Sequence, residues 1–479
     1  EYVFEGAIQN YPSPDVQEDN DNYLAGVREI AVRSEYTDGR DMPRLRLRSV
    51  EFEGPYYETW PPESHRRIFI ESEHTDDPPK YAQEILDHFG SRAFRRPMSS
   101  EEKASVLKVW KEAYAETGDF QSSIKDALLT ILAAPQFLFL IEKSGSPKSE
   151  DLNDWELASK LAGFIWNVAP DEQLLELARN GKLSANLDAQ INRMIEDPRF
   201  RTFAHEFTSQ WLSLDKFDVV ETDRKRFPNL TRDARHHLRQ QPVELFNYLI
   251  RNNLSARHLI DSDFIMANEV VATYYGLGDQ VETGFDFGPV KHDRAGLGGV
   301  LTQASVMAGL SDGRESNPVK RGAWLARKLI AEPPEDPPPN VPGIEEIDAS
   351  LPLRERLALH RNQKGCTNCH AGIDPWGIPL EQFDAGGLFQ PEGADTLATL
   401  PDKTEVADFE ALQKYLVDER MDSVAFSVLK HLATYGTGRT LGYNELVFLR
   451  KKAVEFAAKD YRMQDLLRFV IHSDIFLKK

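Results

Sequence analysis

The chain has 479 residues, too many for one small core, and its 41% hydrophobic and 28% charged residues are those of an ordinary globular protein of several domains. Its 77 acidic against 57 basic side chains leave a net charge of −20, which opposes nucleic acid and anionic lipid over most of the surface. The longest apolar run, Ala127 to Ile141, is broken by Thr130, Pro135 and Gln136 and falls short of the ~20 residues of a spanning helix. It reads as a buried helix and its exit, so no transmembrane segment is expected.

The sequence opens EYVFEG, with no initiator Met and no leader, as expected of a chain whose leader was removed or whose upstream part is missing. Residues 1–72 hold a strand-like alternation in RLRLRSVEFEG (Leu45, Leu47, Val50, Phe52), which predicts a small β-rich segment. From about residue 78 the pattern is helical. A first helical unit spans 73–146 and contains a capping box, Ser99 with Glu102. A helical middle domain spans 147–285, with Asn153 and Glu156 starting a helix that runs to about Val168. Pro242 interrupts the helical run from Thr231 to Asn252 and predicts a kink or break. His236 and His237 are helix neighbours that point about 100° apart, so they are read as surface residues and not as a metal pair. A domain over 286–395 includes EPPEDPPPNVPG (332–343), whose prolines favour an extended connector. A second helical unit spans 396–479.

The two helical units are related. AQEILDHFGSRAFRR (82–96) aligns without gaps on AFSVLKHLATYGTGR (425–439), pairing His88 with His431 and Arg96 with Arg439, and DALLTILAAPQF (126–137) aligns on DLLRFVIHSDIF (465–476). Equal spacing of apolar positions points to packing, and His88 and His431 are read as structural.

Both cysteines of the chain lie in GCTNCHAG (365–372). Thiols at i and i+3 can add across the two vinyl groups of a haem, leaving the next imidazole beneath the iron, which is the physical content of C-x-x-C-H. Zinc would need a fourth ligand and a second close pair, and a thioredoxin-like dithiol would need a strand-to-helix context. The reading is one haem c per chain, held by Cys366 and Cys369 with His370 as proximal iron ligand. In AGIDPWGIPLEQFDAGG, Pro375, Gly377, Pro379, Gly386 and Gly387 predict loops. Ile373 and Trp376 are candidates to cover a porphyrin face or to make a compact loop core.

The run CTNCHAGIDPWGIPLEQFDAGG resembles the haem motif of planctomycete-type cytochrome-associated proteins, multidomain extracytoplasmic proteins built from domains of unknown function. The resemblance extends to SRAFRRPMSSEE (91–102), LASKLAGFIWNVAPDEQLLELARNGKL (157–183), RMIEDPRFRTFAHEFTSQWLSL (193–214), NPVKRGAWLARKLI (317–330), PPPNVPGIEE (337–346), TYGTGR and HSDIF, covering roughly residues 40 to 479. It implies that Cys366 and Cys369 hold the haem, that His370 is its proximal ligand, and that the role is redox, outside the cytoplasm. Two departures stand in the middle of the chain: Glu315-Ser316-Asn317-Pro318 before the Val-Lys-Arg-Gly stretch, and Gln240-Gln241 where the family has an acidic pair.

The distal ligand decides between an electron carrier and an enzyme. His360 is a candidate and Met307 a second; Met421, Met463 and His431 have the chemistry but sit in core-like helical patterns. Arg321, in PVKRG, is a candidate partner for a haem propionate or part of a solvated basic face. The overall expectation is a mainly α-helical, multi-domain protein with a cytochrome c-like haem domain, exported to the periplasm or cell surface. Its expected function is one-electron transfer with a redox protein partner or surface-associated complex, homo-oligomerisation being compatible with it. The alternatives are a peroxidase- or oxygenase-like haem enzyme acting on a surface polymer or small molecule, and a structural or carbohydrate-binding module with accessory haem.

Overall fold

A computed structural model describes residues 48–51, 59–142, 144–145, 148–334, 351, 355–356, 358–359, 367–393 and 395–479. The chain divides into two units, Glu1–Glu71 and Ser72–Lys479. In the first, the predicted β-rich segment lies largely outside the described residues. Residues 48–51 carry no strand, and a short helix, α1 (Glu63–Arg66), follows.

In the second unit, Asp77 caps α2 (Pro78–Ala93), whose two leading prolines fit a first turn that has no use for their missing amides. The Ser99–Glu102 capping box starts α3 (Ser100–Thr117), and α4 (Phe120–Leu132) and α5 (Pro135–Leu138) follow. Ala82, Ile85, Leu86, Val106, Trp110, Ile124, Ala127 and Ile131 are among the buried residues of this bundle. From the end of α5 the run departs from its predicted burial: Leu138, Phe139, Leu140 and Ile141 are exposed. The Arg95 guanidinium fixes this exit by donating to the Gln136, Phe137 and Phe139 carbonyls at 2.9, 3.2 and 2.8 Å.

The middle of the chain forms α6 (Asp154–Trp166), opened by the predicted Asn153–Glu156 capping box, then α7 (Glu172–Arg179), α8 (Leu187–Glu196), α9 (Phe200–Leu212), α10 (Asp215–Val219) and α11 (Arg232–Arg251). Of the kink or break predicted at Pro242, the break does not occur; α11 runs through the proline. An interior proline costs about 3 kcal/mol. Burial of Leu238, Val243, Leu245, Phe246, Leu249 and Ile250 on both sides offsets that cost. His236 is exposed as expected, but His237 is not a surface residue. Its ring stacks on Phe285 (5.4 Å, 7°) and its Nδ1 lies 2.9 Å from the Asn268 side-chain amide. Among the described residues strands occur only as two antiparallel pairs. β1 (Phe264–Ala267) and β2 (Gly288–Lys291) flank α12 (Glu269–Tyr274), with Phe264 opposite Lys291.

Next come α13 (Ala304–Gly309), α14 (Pro318–Trp324), α15 (Thr367–Gly377), the pair β3 (Ala398–Thr399) and β4 (Glu405–Val406), and α16 (Phe409–Glu419). The chain closes with α17 (Met421–Thr437), α18 (Tyr443–Glu455), α19 (Met463–His472) and α20 (Asp474–Leu477). These last four repeat the order of α2 to α5. They also repeat a clasp: Arg96 grips Glu102 through two bonds of 2.8 Å while Glu102 accepts from the Ser99 amide, and Arg439 grips Glu445 at 2.9 and 2.6 Å while Glu445 accepts from the Gly442 amide.

The two copies differ in what they meet. Phe476 is fully buried, its ring 5.5 Å from Phe164 of α6, whereas its counterpart Phe137 is 36% exposed. One continuous core joins α6–α9, α11 and α13–α20, and the buried residues of the first repeat are not part of it. The chain terminus is stitched to the start of the middle segment by main-chain bonds between Glu150 and Lys479 and by Lys479 Nζ on Glu156 at 2.7 Å.

His431 packs against this core, its ring 6.1 Å from Trp211. Burial pushes its imidazole down to about 4, against the raising effect of its 2.8 Å bond to the Ser427 carbonyl. The folded state therefore binds fewer protons than the unfolded chain between pH 6.5 and 4. Stability is complete above 6.5 and falls by roughly 1.4 kcal/mol per pH unit on the way down. In His431→Leu the slope of Tm against pH over that window should flatten by about one proton; an unchanged slope would show that His431 is not held neutral.

Candidate functional site

α15 begins at Thr367 and carries the second cysteine of the motif. Cys369 lies in its first turn, while Cys366 and His360 fall outside the described residues. The loop predicted from Pro375 and Gly377 is instead helix to Gly377, continued by a 3-10 turn over Ile378–Gln382. Gly377 sits in this helix for a steric reason. A Cβ there would lie 1.8 Å from the Pro318 carbonyl, and one on Gly322 would lie 2.2 Å from the Ile373 carbonyl. Thus α14 and α15 pack main chain against main chain, with no side-chain layer between them.

That contact fixes the helix that carries His370. Its side chain is 8% exposed, and its Nδ1 lies 2.8 Å from Oδ1 of Asp374, one turn further on. The Asp374 side chain is 2% exposed, and among the described residues its second, buried oxygen has no hydrogen-bond partner. With Nδ1 committed to the carboxylate, Nε2 is the ring nitrogen that would ligate iron, so the donor set present fits a haem with His370 as axial ligand. Among the described residues no group of three or more His, Cys, Asp or Glu side chains is arranged to hold a metal ion by itself.

The other predicted residues are placed as follows. Ile373 and Trp376 are buried on α15. Trp376 faces the C-terminal segment, with Tyr415 at 6.2 Å and the Arg420 guanidinium 5.6 Å over its ring, so it joins the core. Met307 is fully buried on α13, whose principal partner is α10, whereas that of α15 is α14. Met421 and Met463 are core residues as well.

Arg321 is not part of a solvated basic face. It is fully buried, and four of its five donors are bound by main-chain carbonyls: Leu380 at 2.7 Å, Phe383 at 2.6 Å, Asp384 at 2.9 Å and Met307 at 3.2 Å. Glu381 lies 3.7 Å away and is buried too; burial pushes its carboxyl up, against the opposing pull of Arg321 and the Ser316 hydroxyl. Arg321 thus ties α13 to the turn that follows α15. Nearby, the Tyr274 hydroxyl donates to the Gly386 carbonyl at 2.7 Å, and the Tyr275 hydroxyl donates to the Gln241 side-chain oxygen at 2.8 Å. Burial raises both phenols.

Sequence reasoning missed Asp374. Its signal was the i, i+4 spacing from His370, which carries meaning only on a helix. Reading Pro375 and Gly377 as loop formers hid it.

Four family models match the chain, each describing a protein of unknown function: DUF1595 over residues 81–142, DUF1592 over 152–277, DUF1588 over 297–393 and DUF1585 over 402–476. Matched one after another along the chain, the four models support a multidomain protein built from these families of unknown function. The DUF1588 model, named PSCyt3, spans Arg321, the C-x-x-C-H motif and Asp374. The DUF1595 and DUF1585 models fall on the two helical repeats. No curated protein and no solved structure matches. Among the described residues no helix is long and apolar enough to cross a membrane.

Proposed function

We propose that the protein is an extracytoplasmic c-type cytochrome with one haem bonded to Cys366 and Cys369, His370 as its proximal ligand, and one-electron transfer to or from a protein partner as its role. The observation that carries the reading is the C-x-x-C-H motif leading into α15, with the imidazole of His370 buried and oriented by a carboxylate. The PSCyt3 name of the matched model agrees with it. When bound, the haem supplies a one-electron Fe(III)/Fe(II) couple. The chain's own residues supply the rest: α14 fixes α15, Asp374 orients His370, and Arg321 closes the turn behind them. Haem c is attached outside the cytoplasm, which sets the proposed location at the periplasm or cell surface. A body of this size around one haem favours docking to a redox partner over free shuttling.

The test is the absorption spectrum of the exported, dithionite-reduced protein before and after carbon monoxide. A haem c spectrum is expected in the wild type, and none that survives denaturation in a Cys366→Ala, Cys369→Ala double variant. Absence of a Soret band from the wild type would overturn the reading. A spectrum unmoved by carbon monoxide means a strong ligand on both faces and supports electron transfer. A clear shift means an open or labile sixth position and supports a haem enzyme instead.

A further inference from the structure

The pair formed by His370 and Asp374 has a property that the haem reading alone does not require. A proximal imidazole needs some acceptor for its Nδ1 proton, and a neutral carbonyl is enough to orient it. Here the acceptor is a carboxylate at 2.8 Å, with both side chains buried. Among the described residues no lysine or arginine is paired with Asp374, and its second oxygen meets no donor. An acidic group buried without a cation is costly, and such costs concentrate where a charge has work to do. The geometry is also held firmly. The main-chain contacts of Ile373 with Gly322 and of Gly377 with Pro318 clamp α15 on either side of Asp374.

We propose that Asp374 is a positioning residue that tunes His370. By accepting the Nδ1 proton in a charge-assisted bond it fixes Nε2 as the ligating atom, makes that nitrogen a stronger donor, and so favours oxidised over reduced iron. The proposal rests on the haem reading above and adds to it that the site works at low reduction potential. The couple is Fe(III) plus one electron, supplied by a reduced protein partner or by dithionite in the test, giving Fe(II). No bond to His370 or Asp374 forms or breaks, and the Nδ1 proton stays between them.

The experiment is a potentiometric titration of the full-length haem-bearing protein and of Asp374→Asn and Asp374→Glu. The asparagine oxygen can still accept from Nδ1–H but carries no charge, and the glutamate restores the charge. Asp374→Asn is expected to favour the reduced state at least tenfold, which raises the midpoint potential by about 59 mV for one electron. Asp374→Glu should return most of the way to the wild-type value. A shift below twofold in Asp374→Asn, with haem attached and thermal unfolding unchanged, overturns the proposal and leaves the haem reading standing. A wild type without covalent haem overturns both. Should the asparagine variant fail to fold, the wild type itself decides. The iron–imidazole stretch in the resonance Raman spectrum of the reduced protein after photolysis of carbon monoxide or, where carbon monoxide does not bind, the 15N chemical shift of His370 Nδ1 in the reduced low-spin protein, should lie toward the value of an anionic imidazole. A value typical of neutral histidine overturns the proposal.

Discussion

Arg321→Met should destabilise the protein by about 4–5 kcal/mol, a large fraction of the stability of an ordinary domain. The side chain would keep its apolar stem but lose the planar fork that binds the carbonyls of Met307, Leu380, Phe383 and Asp384. Each buried carbonyl that loses its donor costs about 1–3 kcal/mol, and Glu381 would be left buried beside an apolar group. Arg321→Lys should recover little, because an ammonium cannot present the same four donors in a plane. The double variant Arg321→Met, Glu381→Met should recover only the part owed to the charge pair. Urea denaturation followed by tryptophan fluorescence checks this, since Trp324 and Trp376 are both buried in the core next to this turn. A loss below about 1 kcal/mol, with the m-value unchanged, would show that the carbonyls find other donors.

Gly377→Ala should have the second large effect, about 3 kcal/mol or more of lost stability. The backbone at Gly377 has φ −92°, which alanine adopts freely, so the penalty is purely steric. An added Cβ would lie 1.8 Å from the Pro318 carbonyl, a main-chain atom that can move only if α14 separates from α15. Gly372→Ala on the same helix is the control. Among the described residues nothing lies within 4 Å of a Cβ there, and alanine is the better helix former by up to about 1 kcal/mol. The melting temperature should therefore fall in Gly377→Ala and hold or rise in Gly372→Ala. Equal behaviour of the two would remove the argument that glycine is required where these helices cross.

Much of the local structure was legible because it is written in short-range chemistry. The Ser99–Glu102 and Asn153–Glu156 boxes begin helices where their side chains satisfy the first amides. The alignment of the two helical units, including Arg96 with Arg439, reappears as two copies of one clasp. The reading failed where tertiary packing outweighs local preference. Pro375 and Gly377 stay helical because α15 is pressed against α14, and the break offered as one outcome at Pro242 is prevented by apolar burial on both sides of it. The exposure of Leu138 to Ile141 shows the reverse case, an apolar run left in solvent.

The sequence by itself determined the mainly helical architecture, the internal repeat, the absence of a long apolar spanning helix among the described residues, and the cofactor hypothesis centred on Cys366, Cys369 and His370. Each depends on composition or on spacing within a few residues. Only the tertiary structure decided that Arg321 is buried among carbonyls, that His237 stacks on Phe285, and that Phe476 is buried while its repeat partner Phe137 is not. The physical reason is common to all three: a side chain's partners across the fold are fixed by how helices cross, and residues such as Arg321 and Leu380 meet 59 positions apart in the chain. Asp374 lies between these cases, since its spacing from His370 was in the sequence, but its meaning appeared only once packing on α14 made that stretch a helix.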